Sequence, residues 1–107
     1  MPTLLEEARE IIDGCGAAIA EQLARRNAAV GKVLEYKIAN DLPAYDPVRH
    51  QAVIDKAGKL VETLGGDPEL GRVFAKAVAD YSMEKQKRLI ADRAKTTTTS
   101  EKPNPPS

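Results

Sequence analysis

The stretch LLEEAREIIDGCGAAIAEQLARRNAAVGKVLEYKI, residues 4–38, decides the fold. It contains no proline, and apolar side chains recur at helical spacing through Leu5, Ala8, Ile12, Cys15, Ile19, Leu23, Val30, Val33 and Leu34. That pattern predicts one long amphipathic helix. Two cations interrupt the stripe. Arg26 and Lys37 stand where apolar groups are due, in the series Arg26, Val30, Val33, Lys37. Eleven residues make almost three turns, so both project from one face, roughly 16 Å apart along the axis. Reaching towards each other, they leave a gap the size of a small anion. Arg9 precedes Arg26 by seventeen residues, roughly 25 Å on the same rod, too far for both guanidiniums to meet one small ligand from one chain. Participation of Arg9 requires a second chain. Within the stripe, Gly14 and Gly16 each cost about 1 kcal/mol relative to alanine. They read either as a locally weak helix or as a point where another helix approaches closely. Cys15 between them is expected to be a small buried hydrophobe.

Outward from this stretch, helix signals repeat twice. Thr3 followed by Glu6 and Glu7 supplies a capping residue and an acidic first turn for the long helix. Asn40 to Tyr45, with Pro43, breaks the pattern. Asp46-Pro47 then offers an N-cap and a proline at the first helical position. A second helix follows through Val48, Val53, Ala57, Leu60, Val61 and Leu64 to Gly65-Gly66. Asp67-Pro68 repeats the signal and opens a third helix, expected to run to about Ala94. From Lys95 the chain is rich in Thr, Pro and Ser, so residues 95–107 are expected to form a disordered tail after a helical domain of residues 1–94. The fold expected is all-α: three helices, the first very long and the other two each at most about two-thirds of its length. Such a rod would leave part of its stripe in water. Two long helices crossing in an intertwined homodimer would bury it, with small residues from Gly14 to Ala18 at the crossing.

Composition excludes several function classes. Sixteen basic and sixteen acidic side chains among 107 residues leave no net charge, so neither a nucleic acid nor a membrane surface is suggested as partner. Any anion site must be built locally. One cysteine and one histidine make neither a disulfide framework nor a metal cluster, and no cofactor motif is present. The opening residues lack a basic stretch followed by an apolar core, and no run reaches bilayer-spanning length. A cytoplasmic location is expected.

Candidate site residues cluster on the shorter helices. Asp46, Arg49 and His50 are spaced i, i+3 and i+4 and share the first-turn face of the second helix. An arginine beside a helix N-terminus suits an anion. On the third helix Ser82 and Gln86, i and i+4, lie on the side of Val78 and offer polar hydrogen-bonding groups beside an apolar face. Each of these patterns alone also fits an ordinary solvated surface.

Taken together, Arg9, Arg26, Lys37, the Tyr-Asp-Pro-Val-Arg block at 45–49, Ser82 and Gln86 resemble the all-helical chorismate mutase family over residues 4–90. The resemblance implies an intertwined homodimer with two equivalent sites, each borrowing an arginine from the partner. It implies the rearrangement of chorismate to prephenate. Arg9 of the partner chain, with Arg26 and Arg49, would hold the two carboxylates. Lys37 and Gln86 would donate hydrogen bonds to the ether oxygen, Arg26, Lys37 and Gln86 being the catalytic set. Ser82 and the Asp46 region would orient the substrate, and Val33, Val53 and Val78 would form apolar walls. The family normally carries a glutamate directly after the arginine of the second helix, where it meets the hydroxyl at ring carbon four. Here that position is His50. The same scaffold would also accommodate rearrangement of 4-amino-4-deoxychorismate, elimination of pyruvate from isochorismate, or a non-catalytic helical dimer.

Overall fold

The computed structural model describes the backbone of residues 1–101 and the side chains of residues 1–93. Three helices follow in order: α1, Leu4–Ala39; α2, Pro47–Thr63; and α3, Pro68–Glu101. No strand occurs among the described residues, so the fold is all-α as expected.

The helix boundaries follow from local chemistry. At the start of α1, Thr3 Oγ1 accepts from the Glu6 backbone N–H at 3.1 Å while Glu6 Oε1 accepts from the Thr3 backbone N–H at 3.1 Å. This reciprocal capping box satisfies two of the amides that a helix start leaves without partners. The Thr3 backbone and hydroxyl donors hold the Glu6 carboxyl below its ordinary range. Asp46 caps α2 by accepting from the Arg49 backbone N–H at 3.1 Å, with Pro47 in the first turn. Asp67 does the same for α3, accepting from the Glu69 backbone N–H at 2.9 Å.

Both interhelical turns close in the same way. After α1, the Leu42 N–H reaches the Lys37 carbonyl at 2.8 Å and the Asp41 N–H reaches the Ile38 carbonyl at 3.3 Å. This is a Schellman pattern, with Asp41 at φ 54° in the left-handed position. After α2, Gly66 N–H donates to the Val61 carbonyl at 2.8 Å and Gly65 N–H to the Glu62 carbonyl at 3.0 Å. Gly65 takes the left-handed position at φ 90°, where lack of a Cβ removes the steric penalty.

Two compact units divide the chain, Met1–Val33 and Leu34–Ser107. The first is a single helix. It carries Leu5, Ile11, Ile12, Ile19 and Leu23 exposed, and α1 as a whole has no buried residue. Cys15, expected to be buried, is exposed in the single chain, and among the described residues a Cβ built on the flanking Gly14 or Gly16 meets nothing within 4 Å.

The second unit is organised by α2 packing along α3. Its buried apolar side chains, among the described residues, are Ile54, Ala75 and Ala79. The close approach depends on glycine: a Cβ on Gly71 would lie 2.5 Å from the Ala57 carbonyl oxygen, and one on Gly58 would lie 2.9 Å from Arg72 Cγ. Backbone thus takes the place of side chain at the seam.

The end of α3 differs from the sequence expectation. It extends to Glu101 rather than stopping near Ala94, and its 34 residues nearly equal the 36 of α1. Only α2, with 17 residues, is much shorter. Threonines cost a helix only a few tenths of a kcal/mol each, and extending an existing helix needs no new nucleus. No proline stands between Pro68 and Pro103 to stop it. The disorder expected of residues 95–107 concerns side chains, and from 102 the backbone, that lie outside the described residues.

Gly71→Ala should lower stability by about 1–3 kcal/mol, the usual cost of overpacking, because the obstructing atom is backbone that cannot rotate away. Urea unfolding followed by helical circular dichroism measures it. An unchanged midpoint would show that α2 and α3 do not approach at Gly71.

Candidate functional site

The last turn of α1 carries Lys37 beside the buried face of α3. Its ammonium donates to the Ala44 carbonyl at 2.7 Å and to Gln86 Oε1 at 2.9 Å. Among the described residues these partners are a carbonyl and an amide oxygen, so no carboxylate neutralises the charge. An ammonium has three donors and no acceptor. Two of the three donors are thereby placed. Because the ammonium can only donate, it also fixes the Gln86 amide with its oxygen towards Lys37. The Gln86 NH₂ group therefore points away from Lys37 as a donor.

Gln86 and Ser82 are the buried polar side chains of the described chain, at 7% and 9% exposure. They are one helical turn apart on α3 and continue the face that buries Ala75 and Ala79. Burying polar groups is unfavourable unless they are hydrogen-bonded. Both are engaged, Gln86 with Lys37 and Ser82 with a partner of its own, and no buried side-chain nitrogen or oxygen among the described residues lacks one.

The first turn of α2 distributes its three candidates differently. Asp46 serves as the N-cap, one carboxylate oxygen receiving the Arg49 amide. The Arg49 side chain is exposed. His50 turns to α3, where its Nε2 lies 2.8 Å from Asp80 Oδ1. The His50 ring also meets the Tyr45 ring edge-on, centroids 5.5 Å apart at 73°. Lys87 sits 5.5 Å from the centre of the Tyr45 ring.

Arg9 and Arg26 lie in the first unit. Arg9 is exposed and Arg26 half-buried with an interaction of its own. Their separation along one continuous helix, roughly 25 Å, keeps the two guanidiniums of one chain apart.

Two contributors have no signature in the sequence. The Ala44 carbonyl is backbone and carries no residue-type signal. Asp80 reads in sequence as the i+4 partner of Lys76, and it does accept from Lys76 Nζ at 2.7 Å. Its second role, across to His50, links residues thirty positions apart. The Lys76 ammonium first, and His50 second, hold the Asp80 carboxyl below the usual carboxylate range, while Asp80 raises Lys76.

No group of three or more His, Cys, Asp or Glu side chains among the described residues could hold a metal ion. No helix there is long and apolar enough to cross a membrane. The arrangement places an ammonium held by neutral oxygens next to an oriented amide, with the buried Ser82 one turn away. The family model for chorismate mutase type II matches residues 8–87, the interval that spans Arg9 to Gln86. The chain belongs to that family. No curated protein sequence matches it significantly.

The Asp80 interaction has a definite pH signature. A carboxyl whose folded-state pKa is depressed contributes stability above its unfolded pKa and loses it as pH falls through the folded value. Asp80→Asn should therefore be less stable than wild type at pH 7, and the difference should shrink below about pH 4, the ordinary carboxylate range. Denaturant midpoints at pH 7 and pH 3 test this. A difference that stays constant would show that the Asp80 charge is not involved.

Proposed function

From membership of the chorismate mutase type II family and the Lys37–Gln86 geometry, we propose that the protein catalyses the [3,3] rearrangement of chorismate to prephenate. The single observation that carries the reading is the Lys37 ammonium held by two neutral oxygens, one of them the Gln86 amide oxygen, which leaves the NH₂ of that amide as its donor end. In this reaction the ether carbon–oxygen bond breaks as a carbon–carbon bond forms at the other end of the enolpyruvyl arm. No atom is gained or lost. Negative charge builds on the ether oxygen as the bond lengthens, so donors fixed around it stabilise the transition state more than the ground state.

In this reading Lys37 and Gln86 serve the ether oxygen. Arg26, Arg49 and the partner's Arg9 clamp the two carboxylates and hold the arm over the ring in its reactive conformer. Ser82 and Asp46 orient the substrate, and His50 faces its ring substituent. Supplying Arg9 requires a homodimer. Support for that assembly comes from the exposed series Leu5, Ile12, Ile19 and Leu23 on α1, since each such side chain buried contributes about 1.5–3 kcal/mol. Rearrangement of 4-amino-4-deoxychorismate is a second reading, favoured by a histidine where the family has glutamate.

Incubating the purified protein with chorismate and following prephenate tests the reaction itself; absence of product would reject it. Lys37→Ala should lower kcat by about 10² to 10³ with a much smaller change in KM, as loss of one preorganised donor does. Small, equal losses in both would reject the role of Lys37.

The partner's contribution has its own test. Mixed dimers of Arg9→Ala and Lys37→Ala chains should contain one intact site and one doubly damaged site, so mixing two inactive variants should restore activity to about half per mixed dimer. No restoration on mixing would place Arg9 and Lys37 of one chain in the same site.

A further inference from the structure

The position where the family glutamate would stand carries a histidine, and that histidine is not alone. Asp80, on α3, offers one carboxylate oxygen to His50 Nε2 at 2.8 Å and the other to Lys76 Nζ at 2.7 Å. Both oxygens being engaged, the carboxylate cannot turn without losing a partner. The His50 ring is held from another side by Tyr45, edge-on at 5.5 Å, and the Tyr45 ring in turn by Lys87. The charged or titratable groups around the imidazole are thus Asp80, with Lys76 behind it, on α3, and Tyr45 on the turn before α2, with Lys87 of α3 beside it.

We infer that Asp80 is a positioning residue: by accepting the Nε2 proton of His50 it leaves Nδ1 as the ring atom that meets the substrate's ring substituent, an inference that rests on the mutase reading. An ionised carboxylate can only accept, so the nitrogen facing it must carry hydrogen. Lys76 and His50 keep Asp80 ionised. In a neutral ring, the second nitrogen is then a lone-pair acceptor; in a charged ring it is a donor. The histidine therefore does by a single, oriented atom what a glutamate does with two anionic oxygens. It accepts from a hydroxyl or an amine without setting a full negative charge against the substituent. Removing Asp80's negative charge releases the choice of tautomer, because an asparagine there can either accept from Nε2 or donate to it.

The sequence has one histidine, so an imidazole nitrogen spectrum of ¹⁵N-histidine-labelled protein contains one residue. In the wild type the neutral ring should show a protonated Nε2 and a bare Nδ1. For Asp80→Asn the two nitrogens should move towards averaged values, and the ratio of kcat/KM for chorismate to that for 4-amino-4-deoxychorismate should change by at least about threefold, the scale of one altered hydrogen bond. Asp80→Glu should restore part of the wild-type ratio. Lys76→Ala, which leaves the His50 partner in place, should stay within about twofold of wild type, below the scale of one lost hydrogen bond. A wild-type neutral ring protonated at Nδ1, or an Asp80→Asn variant with the wild-type ratio, would overturn the inference. If the wild type converts neither substrate, the mutase reading fails, while the nitrogen spectrum still decides whether Asp80 fixes the ring.

Discussion

The hydrogen bond from Lys37 to Gln86 joins the end of α1 to the middle of α3, and the proposed chemistry depends on it. Lys37 is half-buried, and removing a charge even partly from water is unfavourable unless something repays it. Here two oxygen dipoles do so, one from the Ala44 backbone and one from Gln86. The Schellman turn at Asp41 brings Ala44 back beside Lys37. The same bond orients the amide, since an ammonium tolerates only the oxygen end. In the proposed reaction this would set a positive charge and an oriented donor in place before the substrate arrives, the form of organisation that stabilises developing charge without rearrangement.

The seam between α2 and α3 sets where these groups stand. Gly58 and Gly71 let the two helices approach to backbone contact, and that closeness lets His50 span to Asp80. The buried apolar set is small: Ile54, Ala75 and Ala79. Ser82 and Gln86 occupy the next positions of the same face, where an apolar residue would add to the core. Polar groups at such positions give up hydrophobic stabilisation, and their hydrogen bonds offset part of the loss. Leu5, Ile12, Ile19 and Leu23 of the α1 stripe are exposed in the single chain.

Much of the fold was legible because caps are local. Thr3 with Glu6, Asp46 with Pro47 and Asp67 with Pro68 announce three helix starts within four residues each, and the structure uses all three. The end of α3 was not legible: composition marks where burial stops, whereas a helix already formed continues until a residue forbids it. Cys15 is exposed in the single chain for a related reason. Periodicity identifies a face that prefers burial without saying whether this chain supplies the cover. In the site, Lys37 and Gln86 could be assigned together from the family pattern, but the direction of the amide and the role of Ala44 emerge only from the turn. Asp80 was hidden by a simpler local explanation, its i+4 pairing with Lys76.

The central claim, that a neutral amide at position 86 donates to an oxygen gaining charge, is tested most directly by the pH profile of Gln86→Glu. A carboxylate has no proton to donate, whereas a carboxylic acid has one. The account predicts wild-type turnover that does not depend on ionisation at position 86. The variant should be nearly inactive at pH 8 and recover activity as pH falls towards the pKa of its new carboxyl. A Gln86→Glu variant as active as wild type at pH 8, with the same profile, would contradict it.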